Sequence, residues 1–297
     1  MANSHGGGVD TGSCITGRAE RDLDVNNVLA RMFNMGGLFF GNSSAAAYIV
    51  PKASGLSPIF ASGIWIGGTV DGVLHVAGST YDDFEFWPGP INDDGTLPNP
   101  EDCATYDRIY KVSRLDIENY EATGMAASDL ADWPADLGAP VLAARGNGVD
   151  DDGDGLIDEG SDGIDNDGDG FVDERNEQER RIDGGYDLAA GDRPEIVGDQ
   201  ALWWVMNDLG NEHRNSLTPP LGVEVQVLAW SFARADALGE TTFYRYRVIN
   251  KSGVPIQNTF LSIFSDPDLG NYQDDFVGVD TSLSLGFTYN ADDEDDT

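Results

Sequence analysis

A chain of 297 residues carries 53 Asp and Glu against 17 Lys and Arg, a net charge of −36, which repels phosphate backbones and argues against nucleic acid as a partner. No apolar run reaches the roughly 18 residues of a membrane-spanning helix, and the length suits two domains or one large β-sandwich with insertions. The acidity points to a high-salt habitat, to a calcium-rich exterior, or to both.

The opening MANSHGGGVDTGS is polar and glycine-rich and has no signal-peptide apolar core, so residues 1–26 read as an extended arm. Two cysteines, Cys14 and Cys103, suit a disulfide in an exported chain. A pair of buried free thiols is the alternative. Sequons at Asn42 and Asn250 permit N-glycosylation outside the cell.

From residue 36 to 90 the chain breaks into strand-length pieces: GGLFFG, AAAYIVP, PIFASGIWIGG, GVLHVAGS and DFEFWPGP. Each is rich in aromatic or branched residues and bounded by Gly, Pro or Asp, the mark of a β-meander. Ser113 then stands as an N-cap before apolar positions Leu115, Ile117 and Tyr120, which predicts one short helix to Ala122. A second is expected over residues 127–137, interrupted at Pro134. Residues 27–140 thus form a β-rich segment with short helices.

Residues 141–183 are of another kind. Between Asn147 and Glu174 lie twelve carboxylates and no base, and the run is a duplication: NGVDDDGDGLIDE returns as DGIDNDGDGFVDE fifteen residues later. Asp150, Asp152, Asp154, Asp158 and Glu159 recur as Asp165, Asp167, Asp169, Asp173 and Glu174. Acids at loop positions 1, 3, 5 and 9 with glycine at 6 wrap oxygen ligands around a hard cation, and the carbonyls of Leu156 and Phe171 at position 7 add one ligand each. Without sulfur or imidazole the set disfavours zinc and copper, and magnesium seldom leaves its waters for such a cage. Calcium fits best. Ser161 and Asn176 replace the bidentate Glu of an EF-hand, so Asp162 joins Glu159 and Glu174 as a source of the missing oxygens. The loops resemble the DxDxDGxxD repeats of thrombospondin type 3 arrays. The alternative, a solvated acidic linker, leaves the in-register repeat of Leu156–Ile157 as Phe171–Val172 unexplained.

Residues 184–297 return to strands, able to form one fold with 27–140. In GVEVQVLAWSFA, Val223, Val225 and Val227 alternate with Glu224 and Gln226, which predicts a half-buried strand. TTFYRYRVIN, NTFLSIFSD and LSLGFTYN continue the pattern, and an antiparallel β-sandwich is the economical all-β fold. A second acidic group, Asp266, Asp268, Asp274 and Asp275, brackets a glycine-containing loop and is a further candidate cation site.

Taken in order, IFASGIWIGG, DDFEFWPGP, Cys103 with ATYDRIYKVSR, GDQALWWVMND, GVEVQVLAWSFA, TTFYRYRVIN and SDPDLGNYQDDFVGVD resemble the amino-terminal region of large secreted surface proteins of Bacteroidota and related bacteria. These often carry a type IX secretion sorting domain at the far carboxyl end. The resemblance runs from about Asn27 onward. It implies export and a role at the cell surface or in the matrix, and it supplies no catalytic residues. Members of the family continue well past the equivalent of Asn290, so the sorting domain is expected to be missing here.

The reading that follows is an extracellular, structural, calcium-binding protein rather than an enzyme. It is expected to polymerise into a filament, fibre or layer, with the amino-terminal arm adding a strand to the next copy. A secreted glycan-active hydrolase is the rival, yet no GxSxG or HExxH motif occurs and His5, His75 and His213 share no pattern. A carbohydrate-binding module is the other rival, with Trp65, Trp87, Trp203 and Trp204 as its stacking platform and surface glycans as partners; the alternative, and the commoner one, is that such tryptophans belong to the core.

Overall fold

The computed structural model describes residue 14 and residues 17–41, 45–81, 83–92, 94–97, 103–142, 186–189 and 191–292. The chain is all-β, with antiparallel sheets and, among the described residues, two short α-helices. Its first part holds β1 (Glu20–Leu23), β2 (Leu29–Phe33), β3 (Gly37–Leu38), β4 (Tyr48–Ile49), β5 (Ile59–Val70), β6 (Val73–Thr80), β7 (Asp83–Phe84) and β8 (Trp87–Pro88). Next come β9 (Tyr110–Ser113), α1 (Arg114–Thr123), α2 (Ser128–Ala131) and β10 (Val141–Leu142). The second part holds β11 (Arg193–Pro194), β12 (Gln200–Asn207), β13 (Val223–Ser231), β14 (Thr242–Asn250), β15 (Gln257–Pro267), β16 (Asp275–Asp280) and β17 (Leu285–Asn290).

Local chemistry explains several of these elements. Asp71 and Gly72 both take positive φ, 51° and 80°, the two-residue turn that matches the twist of a hairpin and joins β5 to β6 with Val70 opposite Val73. Helix α1 opens with a capping box, in which the Ser113 hydroxyl accepts from the Asp116 amide and the Asp116 carboxylate accepts from the Ser113 amide. It closes at Gly124 in the left-handed conformation.

Strands from both ends of the chain interleave. The eight-stranded sheet runs β1-β2-β3-β5-β6-β7, with β4 on β2 and β15 on β5; the five-stranded sheet runs β14-β13-β12-β8, with β9 also on β12. One core joins Met32, Ile64, Ile66 and Ala77 of the first sheet to Trp204, Met206, Val223, Val225 and Val227 of the second. A second core lies on the other face of the five-stranded sheet, where Ala201, Trp203, Val205 and Leu228 meet Leu130 and Trp133. Each buried tryptophan removes roughly 150–250 Å² from water, worth about 4–6 kcal/mol before entropy is counted.

The second core corrects the reading of β13. Every residue from Val223 to Ser231 is buried except the half-buried Trp230, so Glu224 and Gln226 face protein, not solvent. Their polar ends are satisfied: the Ile91 amide donates to Glu224 Oε2 at 2.9 Å, and Gln226 Nε2 donates to Glu224 Oε1 at 2.8 Å and to the Leu137 carbonyl at 3.1 Å. The arm is also shorter than residues 1–26, because β1 pairs with β2 and Leu23 is fully buried. No helix among the described residues is long and apolar enough to cross a membrane, which leaves membrane crossing by strands untouched.

Candidate cation site

The tandem loops, from Asp150 through Asp152, Asp154, Leu156, Asp158, Glu159, Asp162, Asp165, Asp167, Asp169, Phe171 and Asp173 to Glu174, lie outside the described residues, as does Asn42. The second acidic group is described in full. Strand β15 ends at Pro267 and β16 begins at Asp275, with a short connection between them. Four carboxylates are thereby drawn to one end of the β16–β17 hairpin.

Their contacts divide them into two sets. Tyr81 donates its hydroxyl to Asp266 Oδ2 at 2.8 Å, which ties β15 to the end of β6, and the Asp268 amide donates to the Pro58 carbonyl at 3.0 Å. Burial first, then the charges of Asp266 and Asp275, hold the Asp268 carboxyl above its ordinary value. Asp274 and Asp275 form the inner set. The Leu269 amide donates to Asp275 Oδ2 at 2.8 Å, and the Ala291 amide donates to the Asp274 carbonyl at 2.8 Å.

Three oxygens there have no hydrogen-bond partner and no solvent: Asp274 Oδ1, Asp275 Oδ1 and Asn290 Oδ1. Asp275 and Asn290 are directly opposite in the β16–β17 ladder, so their side chains lie on one face of the hairpin. An acceptor hidden from water without a donor costs about 1–3 kcal/mol, more when charged. Oxygen acceptors of mixed carboxylate and amide type are what a hard cation such as calcium takes. Among the described residues no three His, Cys, Asp or Glu side chains form a group closed tightly enough to hold an ion. Asn290, an amide, stands outside that count. The donor types are ones calcium accepts, and the described carboxylates do not form a closed site.

The remaining candidates are placed as follows. Cys14 and Cys103 form a disulfide with Cα atoms 5.6 Å apart, packed against Trp87. Asn250 ends β14 and its side chain is engaged, donating to the Val254 carbonyl at 2.8 Å and accepting from Ser252 Oγ at 2.7 Å. The four-tryptophan platform does not form, because Trp87, Trp203 and Trp204 are 5%, 2% and 1% exposed and belong to the cores. Trp65 alone faces solvent, on β5 between the core residues Ile64 and Ile66. It stacks on Phe264 with centroids 5.7 Å apart, and Tyr81, Phe60 and Phe40 extend the row.

One cluster escaped the sequence reading. His213 is buried with its ring nitrogens 2.7 Å from the Val76 carbonyl and 2.8 Å from the Asp208 carbonyl. The buried carboxylates of Glu85 and Asp208 lie 3.8 and 3.9 Å from the ring. Glu85 also accepts from the Asn215 and Ser216 amides, and Asp208 from those of Leu221 and Val223. The cluster ties the β12–β13 connection to β6 and the segment after it, and its seclusion from solvent suits fastening rather than catalysis. Nothing in the local sequence marks it, since Glu85, Asp208 and His213 meet only through the fold.

Comparisons with protein-family models, with curated proteins and with solved structures return no match.

Proposed function

We propose that this chain is a calcium-binding structural protein of the cell exterior, in which cations fasten acidic loops onto a β framework. The observation that carries the proposal is the trio of solvent-hidden, unpartnered oxygens on Asp274, Asp275 and Asn290. Like-charged carboxylates held together by the fold are stabilised by a ligand that binds the folded state alone. The duplicated spacing of residues 150–174 supports the same ion by an independent route. The disulfide and the resemblance to secreted surface proteins support an exterior setting.

The structural role includes self-assembly. Residues 1–13 serve as an arm that adds a strand to the next copy, and repeated head-to-tail contacts of this kind give an open filament unless they close into a ring. Chelation should lower Tm and open residues 147–174 to protease, and Asp152→Ala with Asp167→Ala should mimic it. Identical digestion in chelator and in calcium would refute the loop sites. Light scattering of the full chain against one lacking residues 1–13 tests the arm, and a full chain that stays monomeric with calcium at high concentration would refute polymerisation.

Glycan binding is a second reading, with only the aromatic row at Trp65 in its favour. Its test is a glycan array, on which Trp65→Ala should lose any signal the native chain gives.

A further inference from the structure

Strand β15 differs from the other long strands in lying outside both cores. It pairs with β5 along one side, and among the described residues no strand pairs with its other side. Its two faces are open as well: Phe260 is 77% exposed on the outer face, and Leu261 and Ile263 are 61% and 53% exposed on the face that turns inward at β5.

Soluble proteins guard a free edge of this length with charges, with proline or with a covering element. Here Asp266 and Pro267 stand at one end, while the nine residues from Gln257 to Ser265 carry no charge, in a chain whose net charge is −36. In a chain of this net charge, two copies repel one another wherever acids face acids. From Gln257 to Ser265 there are no acids to oppose.

The sequence of this edge is also self-complementary. Thr259-Phe-Leu-Ser-Ile-Phe-Ser265 reads nearly the same backwards about Ser262. If two copies lie antiparallel across a two-fold axis at Ser262, Phe260 meets the other copy's Phe264 on the outer face and Leu261 meets its Ile263 on the inner face. Thr259 then meets Ser265, and Asp266 meets Asn258, so no two acids oppose. Because like faces must match, the register moves only in steps that keep each side chain on its face. Moving the axis to Ile263 sets Asp266 against Phe260 and Leu261 against Ser265. The register about Ser262 therefore wins on both apolar contact and charge, as a two-fold interface requires.

We propose that β15 is a homodimerisation edge, and that two copies of this chain pair through it about Ser262 to form one continuous sheet. The pairing adds the partner's Phe260 beside Phe264, extending the row in which Phe264 already stacks on Trp65. It uses no cation, so it stands apart from the calcium reading, and a single strand edge is smaller than a standard interface, so the dimer is of modest affinity.

Cysteine cross-linking tests the register in the full chain at roughly 100 µM, where a micromolar complex is populated. Ser262→Cys should oxidise to a covalent dimer in both chelator and calcium, because only a residue on the axis faces its own copy. Leu261→Cys and Ile263→Cys should each stay monomeric alone and cross-link when mixed. Val277→Cys on the exposed hairpin is the control and should remain monomeric. Ser262→Lys should abolish the dimer in sedimentation velocity without changing Tm. The proposal is overturned if Ser262→Cys forms no covalent dimer, or if it does so no faster than Val277→Cys. Cross-linking in chelator by a protein that takes up no calcium would leave this inference standing and remove the calcium reading; calcium uptake without cross-linking would do the reverse.

Discussion

Strands β13 and β15 are similar in length, antiparallel and apolar, yet one is hidden on both faces and the other is open on both. Strand β13 lies between two cores and pairs on both sides, so even Glu224 and Gln226 are inside. Strand β15 pairs on one side only and projects beyond the core that covers β5. The same residue types thus stabilise the monomer in one place and offer a contact in the other, and what decides is position in the sheet rather than composition.

Mutations should separate the two. Trp204→Ala, in the layer next to β13, should cost about 3–5 kcal/mol in urea unfolding, and a cost under about 1 kcal/mol would mean that the core is not packed as described. Replacing Cys14 and Cys103 together by Ser should cost about 2–4 kcal/mol, since the bridge spans 89 positions of sequence; unchanged stability would show that the bridge does not constrain the unfolded chain.

Asp129→Asn comes next. Arg21 and Arg108 each reach Asp129 at 2.6 Å. Against the burial that pushes its carboxyl up, hydrogen bonds from Arg108, Arg21 and the Lys111 amide hold it below its ordinary value. Both arginines are partly exposed, so the loss should be about 1–3 kcal/mol rather than that of a fully buried pair. A depressed carboxyl contributes stability above its unfolded value of about 4 that is lost as pH falls through the folded value. The variant's stability curve should therefore be flatter on the acid side than the native one, and parallel curves would contradict the assignment. Smallest of all, Phe260→Ala on β15 should change the stability of dilute monomer by less than about 0.5 kcal/mol, and a loss like that of Trp204→Ala would erase the contrast.

Much of this fold is legible in the sequence. Ser113 with Asp116 marks the start of α1, and the breaks at Gly, Pro and Asp mark the strands of residues 36–90, because caps and turns are local chemistry; the expected meander holds only in part, since β4 pairs with β2 and β8 joins the other sheet. Alternation in β13 misled because polarity reports what faces a side chain on average. Glu224 and Gln226 are buried by partners from Ile91 and Leu137, more than 80 residues away. The tryptophans stay undecided in the sequence for the same reason: of Trp65, Trp87, Trp203 and Trp204 only Trp65 sits on an outward position, and sequence alone does not say which face of β12 is covered. In the candidate cation site, spacing singles out Asp266, Asp268, Asp274 and Asp275 but not Asn290, which stands opposite Asp275 only through the β16–β17 ladder.

The central claim is calcium, and calorimetric titration of the metal-stripped full chain tests it most directly, with Asp274→Asn/Asp275→Asn measured beside it. The native chain should take up calcium at several sites, and the double variant should bind one ion fewer while keeping its fold. Absence of calcium uptake by the native chain would contradict the account, and equal uptake by the two proteins would remove the site between β15 and β16.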